Sequence, residues 1–519
     1  MGDCPGRTAA AALAVNVMEV AANSVASERL IRRWLIVFLL FGLIWRLVRF
    51  ALAFPIWGDE AMLGLNVVDR SYAELLQPLR YGQVAPVGFL WAVRFTFDQF
   101  GISDYTTRIP ALIAGLGALL LFWHWAKLVV SRPAAMLATA LVAVSVYPVR
   151  HGVELKPYAM DLLAVVTLLF FATRYFCSQR PVWMAALITV TPVCSFISYP
   201  QIFVAGGIAL ALVLNIGRAD WLRRIFSLAY LLVVTGSFLA VLSLSARGQY
   251  AAAGGGMVEY WHNGFPPGNS LKFVLWFVRI HTGNMFAYPI GGKNGASMVT
   301  VLLFGRGLWQ MWKKWATPVR VMLFAPFLLT FLAAVGRLYP YGESARISQH
   351  LAPAIMLTAG AGMAAFIDAA GTREAWRARL NVIGILLLGI AVICLLGNVL
   401  WPYKTKADQE MRSAIRRLLD TAGSDPIILT QLPNEGPPTL LWYLRGAPQG
   451  VTCRLDPSPE SLHGRTSAWV VTCAASQVSI ASRLAGATQM NATVWSSHDL
   501  QVGPKEDGPL HLEIFHFTR

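Results

Sequence analysis

The chain has 519 residues, a mean hydropathy of +0.53 and only 13% charged residues, whereas an ordinary soluble domain carries roughly 25%. This composition excludes a soluble enzyme, a disordered protein and a disulfide scaffold, and the six scattered cysteines lack the close pairs of a metal–sulfur site. The net charge of +16 is consistent with binding to nucleic acid, with binding to anionic lipid, or with the basic loops of a membrane protein. The positions of the charges along the chain distinguish these alternatives.

Long apolar runs dominate the chain from Trp34 to Leu400, and many are long enough to cross a hydrocarbon core of about 30 Å. A more polar lead-in precedes them and lacks the unbroken apolar region of a cleaved signal peptide. The predicted spans are 34–53, 108–128, 133–150, 159–176, 182–199, 201–216, 225–245, 296–312, 318–337, 350–367 and 380–400.

The distribution of basic residues predicts the orientation of these eleven spans. Arg29, Arg32 and Arg33 stand directly before the first span, which indicates a cytoplasmic N-terminus. Eleven crossings then put the C-terminal tail outside, and the turns on the inner side carry a basic bias. Because positive charge is spread over loops on both sides, nucleic-acid binding is disfavoured. The inner basic residues are Lys127, Arg132, Arg174, Arg180, Arg218, Arg223, Arg224, Lys313, Lys314, Arg373, Arg377 and Arg379.

Two apolar stretches are too short or too charged to be spans. Residues 85–100 contain Arg94 and Asp98, and we predict a helix that lies on or dips into the outer face of the membrane. The loop 246–295 contains the amphipathic run SLKFVLWFVRIHTGNMF between glycine-rich segments, which predicts a second interfacial helix.

After Trp401 the composition changes to that of a soluble domain. Short β-prone runs alternate with helical ones, the last of them near residues 476–488, which predicts a small α/β domain. Cys453 and Cys473 both fall in it and could form a disulfide or remain free thiols. The predicted organisation is a cytoplasmic segment 1–33, a membrane domain 34–403 with outer loops 54–107, 150–158, 246–295 and 338–349, and an extracytoplasmic α/β domain 404–519.

Ionisable residues gather in the predicted outer loops, where charge next to a membrane is costly and often functional. One group follows the first span, with Asp59 and Glu60 preceded by Arg46 and Arg49. The other groups are the run from Arg150 to Asp161, the run from Tyr81 to Pro86, and the run from Arg337 to Arg346.

Structural explanations exist for each group. Asp59 and Glu60 could be the first-turn acids of a helix, and Glu154 and Asp161 could cap the fourth span. Arg46, Arg49 and Arg346 could anchor helices by reaching to the interface. The histidines lack close ligand spacing, so a dedicated metal site is not predicted. The groups point to function because all lie on one predicted side.

Carboxylates next to basic residues at a membrane surface suit one kind of chemistry. Arginine and lysine bind a lipid-linked phosphate, while a carboxylate removes the proton from an attacking hydroxyl. The leaving phosphate is then stabilised by the same cations.

Residues 34–180 resemble the N-terminal half of the polytopic GT-C superfamily glycosyltransferases. The segments that carry the resemblance are PIWGDEAML, VELKPYAMD and the later run YPYGESARISQHLAPA. The chain is most similar to bacterial enzymes related to protein O-mannosyltransferases and to the aminoarabinose and galacturonic acid transferases of lipid A. The expected fold is therefore an α-helical polytopic membrane protein of about eleven transmembrane helices with a small C-terminal α/β domain.

The resemblance implies a polyprenyl-phosphate sugar donor, inversion at the sugar, and a hydroxyl acceptor on a glycan, lipid or protein. It also implies a bacterial inner membrane as the location. The superfamily includes metal-dependent members, so a divalent metal stays open, and no other cofactor is implied. An alternative function is a transporter or flippase for a lipid-linked substrate, although we find no internal repeats of the kind that transporters show.

The resemblance also implies roles for individual residues. The catalytic carboxylates correspond to Asp59, the preferred base, and Glu60, with Glu154 or Asp161 as the second acidic position. Lys156 and Arg346 are the leading phosphate ligands, followed by Arg46 and Arg49. The residues expected to position substrate are Tyr158, Tyr81 and Tyr341.

Overall fold

The structure is a computed structural model of the whole chain. It describes residues 5–218, 220–254, 256–292, 295–423, 425–430, 438–445, 453–455, 466–474, 491–500 and 510–519.

Helices form most of the described chain up to residue 445. The first part contains α1 (Pro5–Ala51), α2 (Gly58–Asp69), α3 (Val87–Phe100), α4 (Ile109–Val129), α5 (Arg132–Val144), α6 (Val146–His151) and α7 (Tyr158–Ser178). The middle part contains α8 (Pro181–Ile197), α9 (Gln201–Asn215), α10 (Trp221–Val241), α11 (Arg247–Ala253), α12 (Gly256–Tyr260) and α13 (Ser270–Thr282). The last part contains α14 (Met298–Met311), α15 (Thr317–Val335), α16 (Ala352–Asp368), α17 (Arg373–Leu400), α18 (Lys406–Ala422) and α19 (Pro438–Arg445).

Several of these helices have the length and apolar composition of membrane spans. Four shorter apolar helices, α5, α8, α9 and α16, pack among them. Within the described residues, the six longer candidates are Ser27–Ala51, Thr106–Val129, Tyr158–Ser178, Trp221–Ala253, Thr317–Val335 and Arg373–Leu400. The protein is therefore an integral membrane protein, as its composition predicts.

The predicted spans lie close to the observed helices, with two instructive differences. The lead-in and the first span form one continuous helix, α1, rather than two segments. The predicted span 133–150 is broken at Ser145, whose extended backbone (φ −78°, ψ 133°) separates α5 from α6. This break leaves carbonyl groups at the end of α5 without partners in the helix.

Short turns alternate with long connections along the bundle. The long connections leave the helices at the end where α1 and α17 finish. They carry α2, α3, α6, α11, α12 and α13. The short turns after α4, α7, α9, α14 and α16 lie at the opposite end and carry basic residues of the predicted inner turns. Which end faces the cytoplasm stays a prediction.

The two segments predicted to form interfacial helices are helical, as α3 and α13, and their position at the membrane surface stays a prediction. The buried side of α3 consists of Phe89, Leu90 and Val93, and it packs against α2, α4 and α8. The exposed side of α13 contains Leu271, Leu275 and Val278.

The C-terminal region is α/β, as predicted, and contains α18, α19 and one sheet. Its strands are β1 (Ile427–Thr430), β2 (Cys453–Leu455), β3 (Ser467–Ala474), β4 (Asn491–Leu500) and β5 (Leu510–Thr518). The strand order is β2-β1-β3-β5-β4, in which β1 runs parallel to β2 and β3, and β5 runs antiparallel to β3 and β4. Strand β4 is not predicted by the sequence pattern, and the helix predicted near residues 476–488 lies outside the described residues.

The sheet separates the two cysteines of this region. Because β1 lies between β2 and β3, the backbones of Cys453 and Cys473 are about 10 Å or more apart, which exceeds the span of a disulfide. Their side chains lie outside the described part of the structure.

The C-terminal region shares a hydrophobic core with the loop helices near the start of the chain. Trp442 and Tyr443 of α19 and Ile415 of α18 are buried together with residues of α2 and α3. A Cβ atom added at Gly64 would lie 2.6 Å from the Trp442 ring, so the absence of a side chain there lets α19 approach α2 closely. This contact places the start of α2 between the membrane helices and the C-terminal region.

Candidate active site

The adjacent carboxylates Asp59 and Glu60 lie in the first turn of α2, so the expectation that they are first-turn acids is correct. Their environments nevertheless differ. The Asp59 side chain is 26% exposed, whereas the Glu60 side chain is 1% exposed. A group that reacts with substrate needs access, which Asp59 has and Glu60 lacks.

Glu60 is occupied by contacts within the protein. It forms a buried ion pair with Arg108 (Nη2 to Oε2, 2.9 Å) and accepts a hydrogen bond from the backbone N–H of Leu155 (2.6 Å). Arg108 also donates to the carbonyl oxygen of Phe54 (2.7 Å). Glu60 therefore connects α2 to the start of α4 and to the segment before α7.

Asp59 pairs with Arg346, which comes from the connection between α15 and α16. The Arg346 Nη1 lies 3.0 Å from Asp59 Oδ2, and its Nη2 donates to the Tyr260 hydroxyl (2.8 Å). The guanidinium also lies 4.7 Å from the centre of the Trp261 ring. Although burial opposes it, Tyr158, Tyr260 and Asp59 raise the pKa of Arg346 above its ordinary value, so this cation stays charged.

The segment between α6 and α7 contributes a second carboxylate and a lysine. Glu154 is paired with Arg150 (2.5 Å) and with His151 Nδ1 (3.1 Å). Although burial opposes it, these two neighbours hold the pKa of Glu154 well below its ordinary value. The buried Lys156 donates from Nζ to Gln83 Oε1 (2.8 Å), and burial lowers the pKa of its ammonium, while Asp59 acts in the opposite direction.

Lys404, which the sequence analysis did not single out, joins these groups from the connection between α17 and α18. Its ammonium lies over the ring of Trp57, two residues before Asp59. It is within electrostatic range of Asp59, Glu154 and Arg346. We call Asp59, Glu154, Lys156, Arg346 and Lys404 the Asp59 cluster.

The cluster carries more positive than negative charge. Its three cations, with Arg150 beside them, outnumber the two carboxylates. An excess of arginine and lysine around a partly open space is suited to an anion such as a phosphate group.

Asp161 lies in the first turn of α7, and among the described residues no charge of the cluster is recorded as acting on it. It is 4% exposed, and its Oδ1 has no hydrogen-bond partner among the described residues. The cluster therefore contains Glu154 rather than Asp161 as its second carboxylate.

Arg46 and Arg49 lie within α1 and bind other groups. Arg46 is fully buried and donates to the carbonyl oxygens of Gly42 (2.9 Å) and, at the end of α5, Val142 (3.0 Å) and Ala143 (3.3 Å). These bonds satisfy the carbonyl groups left by the break at Ser145.

Arg49 donates to Asn398 Oδ1 (3.0 Å) on α17 and lies 3.8 Å from the centre of the Phe54 ring. Both arginines hold helices together in this structure, and their assignment as phosphate ligands gains no support from it.

The three predicted tyrosines lie in different places. Tyr158 contacts the His151 ring (4.9 Å between centres) and is within electrostatic range of Arg346, so it borders the cluster. Tyr81 packs against the core shared by α2 and α3. The Tyr341 hydroxyl lies 3.2 Å from His281 Nε2 on α13, outside the cluster as defined.

The described residues include no evident set of metal ligands. No group of three or more His, Cys, Asp or Glu side chains in the described ranges could hold an ion. Glu154 and His151 are paired with each other, so both side chains already have a partner within the protein.

The comparisons with known proteins agree with the resemblance seen in the sequence. Residues 84–245 match the family model described as dolichyl-phosphate-mannose-protein mannosyltransferase, which is about a third of the chain. No curated protein sequence matches the chain.

The fold is similar to that of ArnT from Cupriavidus metallidurans. A crystal structure of that protein bound to undecaprenyl phosphate aligns with a TM-score of 0.55 at 13% identity, covering 92% of this chain and 98% of the other. Its apo structure aligns with a TM-score of 0.53 at 14% identity, covering 93% and 98%. Over residues 84–245 the family model confirms the predicted resemblance to the GT-C glycosyltransferases, and the ArnT alignments confirm the polytopic fold with a small C-terminal α/β region.

Proposed function

We propose that this protein is a membrane glycosyltransferase that moves a sugar from a polyprenyl-phosphate-linked donor to a hydroxyl group of a glycan, lipid or protein acceptor. The observation that carries the proposal is the Asp59 cluster, in which an accessible carboxylate lies among an excess of cations. The matched mannosyltransferase family model and the ArnT fold, seen bound to undecaprenyl phosphate, support a lipid-phosphate donor.

Asp59 is the proposed general base. Of the predicted catalytic carboxylates, Glu60 and Glu154 are each ion-paired, and their side chains are at most 6% exposed. Asp161 is buried, and among the described residues no cation is recorded as acting on it. Asp59 alone of these four combines access with a position beside Arg346 and Lys156.

The reaction is a single displacement. Asp59 takes the proton of the acceptor hydroxyl, whose oxygen attacks the anomeric carbon of the donor sugar. The bond from that carbon to the phosphate oxygen breaks, and the phosphate leaves with the electron pair, stabilised by Arg346 and Lys156. One displacement inverts the configuration at the anomeric carbon.

The proposal sets the cluster on the extracytoplasmic face, in bacteria that of the inner membrane. It is supported by the basic turns at the opposite end of the bundle, such as Arg373 to Arg379, since short cytoplasmic loops are enriched in lysine and arginine.

Replacement of Asp59 by Asn tests the base. The substitution preserves size but removes the proton acceptor, so we expect kcat for sugar transfer to fall by about 10² to 10⁴-fold. Donor binding should persist, because Arg346 and Lys156 remain. The measurement is sugar transfer by purified protein, with polyprenyl phosphate binding measured separately.

The matched control is Asp98→Asn on α3. Asp98 forms a similar ion pair with Arg94 (3.0 Å) and has a similarly exposed side chain, but it lies outside the cluster. It should retain full transfer. Full activity in Asp59→Asn would overturn the assigned base, whereas a folded wild type that binds donor without transferring sugar would favour a transporter of lipid-linked substrates.

A further inference from the structure

We propose that Lys404 is a ligand of the donor phosphate, so that the connection leading into the C-terminal region completes the phosphate site. The inference rests on the function proposed above and adds a residue to that site. It follows from the position of Lys404, its neighbours and its lack of a counter-ion.

The position of Lys404 is fixed from both sides. On one side, the N–H of Trp401 donates to the carbonyl oxygen of Gly397 and ends α17 (2.9 Å). On the other side, Thr405 caps α18, donating from its hydroxyl to Asp408 Oδ2 (2.6 Å) and accepting from the Asp408 N–H (3.2 Å). The backbone therefore presents Lys404 at a constant place beside α2.

The Lys404 side chain extends toward Asp59. Its ammonium lies on the Trp57 ring, and the helix that begins at Gly58 carries Asp59 in its first turn. The ammonium and the indole ring form a cation–π contact, and the residue is exposed to solvent.

Lys404 differs from the other two cations of the cluster in its partners. Arg346 is bound to Asp59, and Lys156 is bound to Gln83. For Lys404, within the described ranges, the recorded contact is an aromatic ring and no carboxylate forms an ion pair with it. Its charge is therefore available to an incoming anion without the loss of an existing ion pair.

The charged groups that face Lys404 come from several elements. They are Asp59 on α2, Arg150 and Glu154 near α6, Arg346 before α16 and Asp408 on α18. Part of the Lys404 side chain faces solvent, but its ammonium is partly removed from water. This burial, together with Arg150 and Arg346, lowers the pKa of Lys404 to about 7, although Glu154 and Asp59 act in the opposite direction. A bound phosphate favours the charged form.

The pH dependence of donor use tests the inference. Since kcat/KM reports groups of the free enzyme, we expect kcat/KM for the donor to fall as pH rises through about 7, where Lys404 loses its proton. The donor is a phosphodiester and does not titrate there. In Lys404→Arg this loss should disappear, because a guanidinium stays charged.

Removing the cation should raise the KM for the donor. In Lys404→Ala we expect KM about tenfold higher with kcat within twofold, as for the loss of one charged hydrogen bond. Lys406→Ala, an exposed lysine two residues later at the start of α18, is the matched control and should behave as the wild type.

Binding of undecaprenyl phosphate at pH 6.5, where Lys404 is largely protonated, separates the two proposals. Wild-type affinity in Lys404→Ala overturns the inference, whether or not sugar is transferred. Weaker binding in that variant, with no transfer by the folded wild type, supports Lys404 as a phosphate ligand and overturns the proposed activity alone. Absence of binding by the folded wild type overturns both.

Discussion

Asp59 and Glu60, which are adjacent at the start of α2 and carry the same charge, have different environments. Asp59 faces the cluster through Arg346, whereas Glu60 is enclosed by Arg108 and the backbone of Leu155. A buried ion pair is costly to break from one side because the remaining charge has no partner. Glu60 therefore holds α2 against its neighbours, whereas Asp59 is accessible and is the proposed base.

This division predicts the effect of Glu60→Gln. The neutral amide leaves Arg108 buried without a counter-ion, so we expect the free energy of unfolding to fall by about 3 to 5 kcal/mol. Thermal unfolding of the purified protein measures the loss. Glu410→Gln, at an exposed position on α18, should unfold as the wild type does.

A contrary result would reassign the base. If Glu60→Gln unfolds like the wild type but transfers no sugar, Glu60 takes part in the chemistry and the reading of its burial is wrong.

The chemistry of single residues could be predicted from the sequence only in part. Asp59, Lys156 and Arg346 stand in local motifs, so their types and spacing pointed to them. Lys404 stands in no motif, and its proximity to Trp57 depends on a contact between the connection after α17 and the residue before α2, which are distant in sequence. Arg46 was expected at a phosphate because the sequence does not reveal that carbonyl groups at the end of α5 occupy its guanidinium.

At the scale of elements, α14 and α16 approach so closely that only glycine fits at their crossing. A Cβ atom on Gly307 would overlap the carbonyl oxygen of Thr358 and lie 2.8 Å from the backbone nitrogen of Gly362. Small residues at such crossings are a common basis of helix association in membranes, where burial from water contributes little. This contact holds α16, whose N-terminus follows the segment with Arg346.

Gly307→Val should therefore separate α14 from α16. We expect a loss of about 1 to 3 kcal/mol in stability, as for other overpacked sites, measured as a lower unfolding temperature and a lower yield of monodisperse protein. Gly305→Val is the matched control, because nothing lies within 4 Å of its Cβ position on the same helix. Equal stability of the two variants would contradict this packing.

The elements themselves were largely predictable because their signal is local. A membrane span needs a long apolar run, and most predicted spans agree with the observed helices within a few residues. The break at Ser145 carries no such signal, and its carbonyl groups are satisfied by Arg46 from α1. Strand β4 was missed because NATVWSSHDL is mostly polar, and its pairing with β5 makes it a strand.

At the scale of the whole molecule, the C-terminal region and the membrane bundle meet at the chain that leads into α2. The N–H of Ile56 donates to the Tyr443 hydroxyl (2.8 Å), and Arg412 donates to the carbonyl oxygen of Ala53 (2.5 Å). Arg416 pairs with Asp104 (3.1 Å) in the same interface. These contacts connect residues distant in sequence around the Asp59 cluster, which is why neither the interface nor Lys404 could be predicted from local patterns.

Sugar transfer from a lipid-linked phosphate is the activity proposed for this protein, and turnover by the purified wild type tests it. The measurement is release of polyprenyl phosphate from a panel of polyprenyl-phosphate sugars, with hydroxyl acceptors present, with and without a chelator. We expect at least one donor to be cleaved in step with glycosylation of an acceptor, and cleavage to be lost in Asp59→Asn. Folded protein that binds polyprenyl phosphate but cleaves no donor of the panel would contradict that activity.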